Sequence, residues 1–242
     1  MKHILAILMG IAILGLTVYL IVTNYVFVVR HVSVQLPDNS RFTPQQVALE
    51  SGLHLGTRMD EIDVDLIARN LQDTGWLYLQ DVVLQYPSGV QLVVEQRKPA
   101  ALVSHVSTVI VTDANGIVIE QASGDPGYSN CVYVTDIDVH RAVPGYLLEA
   151  STDGKVDAMV ALLQGFAEVP CQDLISFATL ENPRNVRLYS TNHVWVVMGE
   201  GEKMADKLRW TEAALTDLIA KGEKLGTLNV VGGNHADYAP QQ

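Results

Sequence analysis

The chain has 242 residues, of which 48% are hydrophobic, so it is long enough to bury one large core or two smaller ones. Its 27 acidic and 16 basic residues leave a formal charge of -11, which disfavours nucleic acid and acidic membrane surfaces as partners because both require clustered cations. Two cysteines in a chain of this length exclude a disulfide framework.

An apolar segment opens the chain. Residues 4–29 contain no charged side chain, and a helix of about 20 residues is enough to cross the ~30 Å core of a bilayer. The alternative is a cleaved signal peptide, but its apolar region would run only ~7–15 residues and would end at a small-x-small cleavage site. We therefore predict a short tail at 1–3, an uncleaved transmembrane helix at 4–29 and a functional part in 30–242.

A strand, two helices and a hairpin are predicted next. Residues 31–36 alternate as a strand does. The sequence Thr43-Pro44-Gln45-Gln46 supplies an N-cap, a proline at the first helical position and a glutamine for a capping box. A second helix is predicted at about 63–74, and the turn at 86–89 lies between two β-prone runs that predict a hairpin. The apolar stripe of the second helix would comprise Val64, Ile67, Ala68 and Leu71.

The remainder of the chain predicts a mixed β-sheet backed by helices, which makes the whole chain an α+β protein. Helices are expected at 155–166 and 202–221, because apolar residues recur there with a helical period. Strands are expected at 108–113, 117–121, 131–135, 174–180, 185–189, 193–198 and 227–231. Residues 232–242 are polar and are expected to form a flexible tail.

The order strand, helix, helix, strand, strand behind an apolar segment resembles a POTRA domain. Glu95, Arg97, Pro99 and Ala100 match the hairpin-closing signature of the FtsQ/DivIB family of bacterial cell-division proteins. Further segments are similar to that family in the same order along the chain. These are the turn at 111–116, the break at Pro144-Gly145 and the strand at 194–199 followed by Lys207-Leu208.

This resemblance implies a POTRA domain at 30–100 and a β-domain at 101–231. It implies a scaffold of the division septum, with a cytoplasmic N-terminus and an extracytoplasmic C-terminal part. The partners would be coiled-coil division proteins of the FtsB (DivIC) and FtsL types. They would add a strand to the last strand of the sheet, where the matching residues are Leu228, Asn229, Val230 and Val231.

No residue pattern indicates catalysis, a metal or a cofactor. The carboxylates at 60, 61, 63 and 65 lack the pattern of a calcium loop and suit a helix start. The Gly199–Lys203 segment lacks the spacing of a phosphate loop. Cys131 and Cys171 would be buried free thiols, with one disulfide as the alternative. Two other functions remain open, namely a POTRA-bearing assembly or secretion module that binds extended polypeptides and a membrane-anchored envelope enzyme.

Overall fold

The structure is a computed structural model that describes residues 2–21 and 25–241. The chain divides into two compact units, Met1–Gln96 and Arg97–Gln242. Both contain helices and sheets, so the predicted α+β class is confirmed.

Helix α1 spans Lys2–Ile21. Within the described ranges 2–21 and 25–241, none of the helices combines the length and the apolar character needed to cross a membrane. The predicted transmembrane helix at 4–29 is therefore not confirmed. Its residues 22–24 lie outside the described part of the chain.

The end of that predicted segment pairs with the rest of the first unit. Val28 forms a β-bridge with Arg58, and the Val29 amide donates to the Thr57 carbonyl over 2.8 Å. Val29 is completely buried. Val29 therefore belongs to the core of the unit, and the uncharged run at 4–29 reaches into that core because no charged residue precedes Arg30.

The rest of the first unit is a three-stranded sheet with two helices. Strand β3 lies between the other two strands, parallel to β1 and antiparallel to β2. The elements after α1 are β1 (His31–Gln35), α2 (Pro44–Glu50), a 3-10 turn (Met59–Glu61), α3 (Val64–Asp73), β2 (Leu77–Gln85) and β3 (Gly89–Gln96). This is the predicted order of strand, helix, helix, strand and strand.

Local hydrogen bonds start both short helices where the sequence predicts. The Thr43 hydroxyl accepts from the Gln46 amide, and the Gln46 side chain accepts from the Thr43 amide, which completes the capping box. The Asp63 carboxylate accepts from the Leu66 amide at the start of α3. One residue of the predicted apolar stripe is not buried. Val64, at the first position of α3, is 46% exposed.

The second unit is built on a nine-stranded sheet in the order β14-β13-β12-β11-β10-β7-β4-β5-β6. Its strands are β4 (Ala101–His105), β5 (Thr108–Thr112), β6 (Val118–Ala122), β7 (Val132–Thr135), β10 (Ile175–Thr179), β11 (Val186–Ser190), β12 (Val194–Gly199), β13 (Gly226–Asn229) and β14 (Asp237–Pro240). A separate two-stranded ribbon pairs β8 (Val139–Arg141) with β9 (Glu149–Ala150).

Helices α4 (Lys155–Glu168) and α5 (Met204–Lys221) pack with one face of this sheet in a single hydrophobic core. Apolar side chains from alternate strand positions supply the sheet half of that core, as in β12, where Val194, Val196 and Met198 are fully buried. The N-cap residue of α4 is Gly154, which has no side chain to accept a hydrogen bond from a backbone amide. Ile219 on α5 is 45% exposed.

Two of the motifs that carry the family resemblance contact each other in the second unit. The Arg97 Nη1 atom lies 2.8 Å from the Asp113 Oδ2 atom, and both side chains are nearly buried. The other Asp113 oxygen accepts from the amides of Asn115 and Ile117 and so closes the turn. Gly116 in that turn has a φ of 76°, and a Cβ atom there would lie 2.9 Å from a Val160 methyl carbon. Glycine is therefore required at this position.

The C-terminal residues contain a strand that the sequence does not predict. Residues 232–242 were expected to form a flexible tail, but β14 pairs antiparallel with β13. The prediction was wrong because Asp-Tyr-Ala-Pro carries no apolar alternation, and the strand is formed by backbone pairing with β13, which precedes it in the chain. Strand β4 was also not predicted, since it begins only two residues after Pro99.

Candidate partner-binding edge

The candidate site is β13 and the turn that follows it. Strand β13 lies between two neighbours, parallel to β12 and antiparallel to β14. The predicted free edge at 227–231 is therefore covered by the chain's own last strand. In this structure the outermost strand at this end of the sheet is β14.

The four residues predicted to bind a partner point to opposite faces of the sheet. Leu228 and Val230 are each 1% exposed and belong to the core. Asn229 and Val231 are exposed. Only the side chains of Asn229 and Val231 could therefore contact a partner directly, whereas Leu228 and Val230 fix the strand to the core.

The backbone amides and carbonyls of β13 point alternately to its two neighbouring strands. The Val230 amide donates to the Val197 carbonyl over 3.0 Å, so the even-numbered positions are bonded to β12. Thr227 and Asn229 lie opposite Ala239 and Asp237, and their backbone groups face β14. A strand that replaced β14 would use the backbone groups of residues 227 and 229.

A tight turn follows β13 and borders an open cleft. The Gly233 amide donates to the Val230 carbonyl over 3.0 Å, and the Asn229 side chain accepts from the Val231 amide over 3.1 Å. The cleft beside Val231 has a volume of about 450 Å³. Its lining comprises Arg184, Gly199, Glu200, Glu202, Lys203, Lys207, Val231 and Gly232.

The cleft carries charges of both signs. Lys207 is 4% exposed, and its Nζ atom donates to the Glu200 carbonyl over 2.7 Å. Burial lowers the pKa of Lys207, although the nearby carboxylates of Glu202 and Glu200 act in the opposite direction.

Aromatic side chains form a row on the sheet face opposite the helices. The ring centroids of Tyr189 and Trp195 lie 4.9 Å apart, and those of Phe177 and Trp195 lie 5.7 Å apart. Trp195 is paired in register with Thr227 on β13. Sequence reasoning favoured a core position for Trp195 and did not select Phe177 or Tyr189, although aromatic residues at outward positions of three successive strands were a readable signal.

The other residues singled out by sequence have structural roles. Asp60 pairs with Arg58, and Asp63 caps α3. Across the part of the chain that the structure describes, no three His, Cys, Asp or Glu residues are close enough to hold a metal. Cys131 and Cys171 are free thiols, and burial raises the pKa of both, that of Cys171 to about 11.

Comparison with known proteins bears on the resemblance to cell-division proteins. No protein-family profile matches the chain. The cell division protein FtsQ of Anaeromyxobacter sp. (strain K) is 24% identical over 207 residues, which cover 82% of this chain and 66% of the relative. This chain therefore spans slightly less than two thirds of the relative's length. The resemblance expected from the motifs is confirmed, and it extends over most of the chain: this protein is similar to the FtsQ/DivIB cell-division proteins.

Proposed function

We propose that this protein is a non-enzymatic, single-pass membrane scaffold of the bacterial divisome that links early and late septation proteins. The observation that carries the proposal is the similarity to an FtsQ protein over 82% of the chain. The uncharged run at 4–29 supports an anchor in the cell membrane, with a POTRA domain at 30–100 outside the cytoplasm.

The proposed partners are coiled-coil division proteins of the FtsB (DivIC) and FtsL types. One of them would bind as an extended strand to the backbone of residues 227 and 229. Such an addition extends an existing sheet, and neighbouring side-chain contacts give it specificity. Leu228 and Val230 would hold the strand in place from the core, while Asn229 and Val231 would contact the partner.

Backbone pairing alone does not account for stable binding. About four hydrogen bonds at ~0.5–1.5 kcal/mol each would be largely offset by the freedom lost on association. Side-chain contacts must therefore supply the difference. The exposed Val231 side chain, the adjoining cleft and the outward row that contains Trp195 supply such contacts within reach of the strand.

Photo-crosslinking in dividing cells tests this binding site. A photoreactive amino acid at Asn229 should form an adduct with a coiled-coil division protein, because this exposed position adjoins the proposed partner strand. The matched control is Gln121, which is exposed on β6 at the opposite edge of the same sheet.

An adduct from Asn229 and none from Gln121 is the expected result. Equal yields from the two positions, or no adduct with a division protein from either, would contradict the proposal. The full-length chain is used for both variants, so that anchoring and location in the cell are the same.

A further inference from the structure

Strand β14 occupies the edge that the proposed partner would need. Four residue pairs join it to β13, from Gly226 opposite Pro240 to Asn229 opposite Asp237. The Gln241 amide extends the pairing by donating to the Leu225 carbonyl over 2.9 Å. A second strand cannot pair with the same side of β13 while β14 is present.

The outer edge of β14 is a poor substitute. Hydrogen-bonded pairs alternate along an antiparallel ladder. Since Gln241 is bonded to Leu225, residues 239 and 237 face β13, whereas Tyr238 and Pro240 face outward. Proline has no amide hydrogen, so Tyr238 is the one outward donor between residues 237 and 240. An incoming strand would find an incomplete ladder there.

Few buried side-chain contacts attach β14 to the sheet. Asp237, Ala239 and Pro240 are exposed, and Tyr238 is only partly buried against the core. The Tyr238 hydroxyl is buried and has no hydrogen-bond partner among the described residues, which disfavours the paired state. Segments with few buried apolar contacts open at low cost in free energy.

One specific contact fixes the register of β14. A Cβ atom built on Gly226 would lie 2.5 Å from the Tyr238 ring, so this ring lies directly over the glycine. Leu228, opposite Tyr238, supplies an apolar neighbour in the core. The notch above Gly226 therefore accepts one large flat side chain from whichever strand pairs with β13.

We propose that β14 is a replaceable cover of the β13 edge, and that the partner strand displaces it and inserts an aromatic or other large apolar side chain into the notch above Gly226. This inference rests on the proposed function, because it assigns the way in which that function's partner reaches its site. The observed affinity for the partner is then the intrinsic affinity multiplied by the fraction of molecules in which β14 is unpaired.

A reversible crosslink between the two strands tests the displacement. Thr227 and Ala239 are directly opposite and both exposed, and Cα atoms of a hydrogen-bonded antiparallel pair are ~5.5 Å apart, within the range of a disulfide. The full-length Thr227→Cys/Ala239→Cys variant should bind a purified FtsB (DivIC)-type protein at least about tenfold more weakly when oxidised than when reduced. The single-cysteine variants serve as controls and should not respond to reductant.

Equal binding in the two redox states overturns the inference and leaves the proposed function intact. Absence of binding to the wild type and to both forms of the variant overturns the proposed function and the inference with it. The two failures are therefore distinguishable within one experiment.

A labelled peptide with the sequence of residues 234–242 tests exchange at the edge without the partner. It should bind a variant that ends at residue 233, and it should bind the oxidised double-cysteine variant at least about tenfold more weakly. A peptide in which alanine replaces the tyrosine should also bind more weakly, because it leaves the notch empty. No binding of the peptide to a folded truncated variant would overturn the inference.

Discussion

The sheets of the two units differ in size and in how their strands are held. The first unit has three strands, and its central strand β3 is joined to both neighbours over most of its length. The second unit has a nine-stranded sheet and a core formed with two helices, but this sheet ends in a strand attached mainly through its backbone. A large core therefore coexists with a lightly held edge. That combination suits the proposed scaffold, which would stay folded while it exchanges strands.

Breaking the buried ion pair of the second unit should have the largest effect. Arg97→Ala leaves the Asp113 carboxylate nearly buried without its cation, which should cost about 3–5 kcal/mol of unfolding free energy. Urea denaturation measures the change. The matched control is Arg209→Ala, which breaks an exposed pair with Asp206 and should cost less than ~1 kcal/mol. Similar losses in the two variants would contradict the structural role of the Arg97 pair.

Replacing one buried leucine in each unit should show that the two units are destabilised independently. Leu92 in the first unit and Leu188 in the second are both completely buried. Replacement of either by alanine should cost about 2–5 kcal/mol. Hydrogen exchange followed by mass spectrometry should show faster exchange in the unit that carries the change. Leu49→Ala, at a position that is 80% exposed, is the control and should leave both units unaltered.

Loss of the capping box should have a smaller effect, confined to the first unit. Thr43→Ala removes the oxygen that accepts from the Gln46 amide and should cost about 1 kcal/mol. Thr43→Ser keeps that acceptor and should retain most of the stability. Thermal unfolding compares the two variants, and equal destabilisation by both would show that the cap contributes little.

The acid stability of the second unit should depend on Asp138. Hydrogen bonds from Thr152 and from Lys155 lower the pKa of Asp138 from 3.8 to about 2. Because the folded pKa is lowered, this carboxylate stabilises the fold above pH 3.8 and loses that contribution as the pH falls through 2. The stability difference between the wild type and Asp138→Asn should therefore shrink over that interval. A difference that does not change with pH would contradict the assignment.

Local signals account for the accuracy of prediction in the first unit. Thr43 and Asp63 cap their own helices, and the turn at 86–89 joins neighbouring strands, so each element is encoded within a few residues. Val64 is exposed, and the buried part of the apolar stripe of α3 begins at Ile67. The stripe pattern alone does not show where along a helix the packing starts.

Backbone pairing between strands explains what the sequence did not predict at the end of the second unit. Strand β14 has no apolar alternation and forms because β13 offers an unpaired side. Its presence changes the interpretation of residues 227–231 from an open edge to a covered one. Leu228 and Asn229 lie in the strand as predicted, whereas Val230 and Val231 follow its end. Only the fold separates the buried side chains of Leu228 and Val230 from the exposed ones of Asn229 and Val231.

The location of the protein in dividing cells tests the central claim most directly. A fluorescent protein fused to the N-terminus of the full-length chain should appear as a band at mid-cell in constricting cells, because a divisome scaffold is recruited to the septum. The same fusion with residues 227–242 deleted measures how far that band depends on the candidate edge. A uniform envelope signal throughout the cell cycle would contradict a role in division.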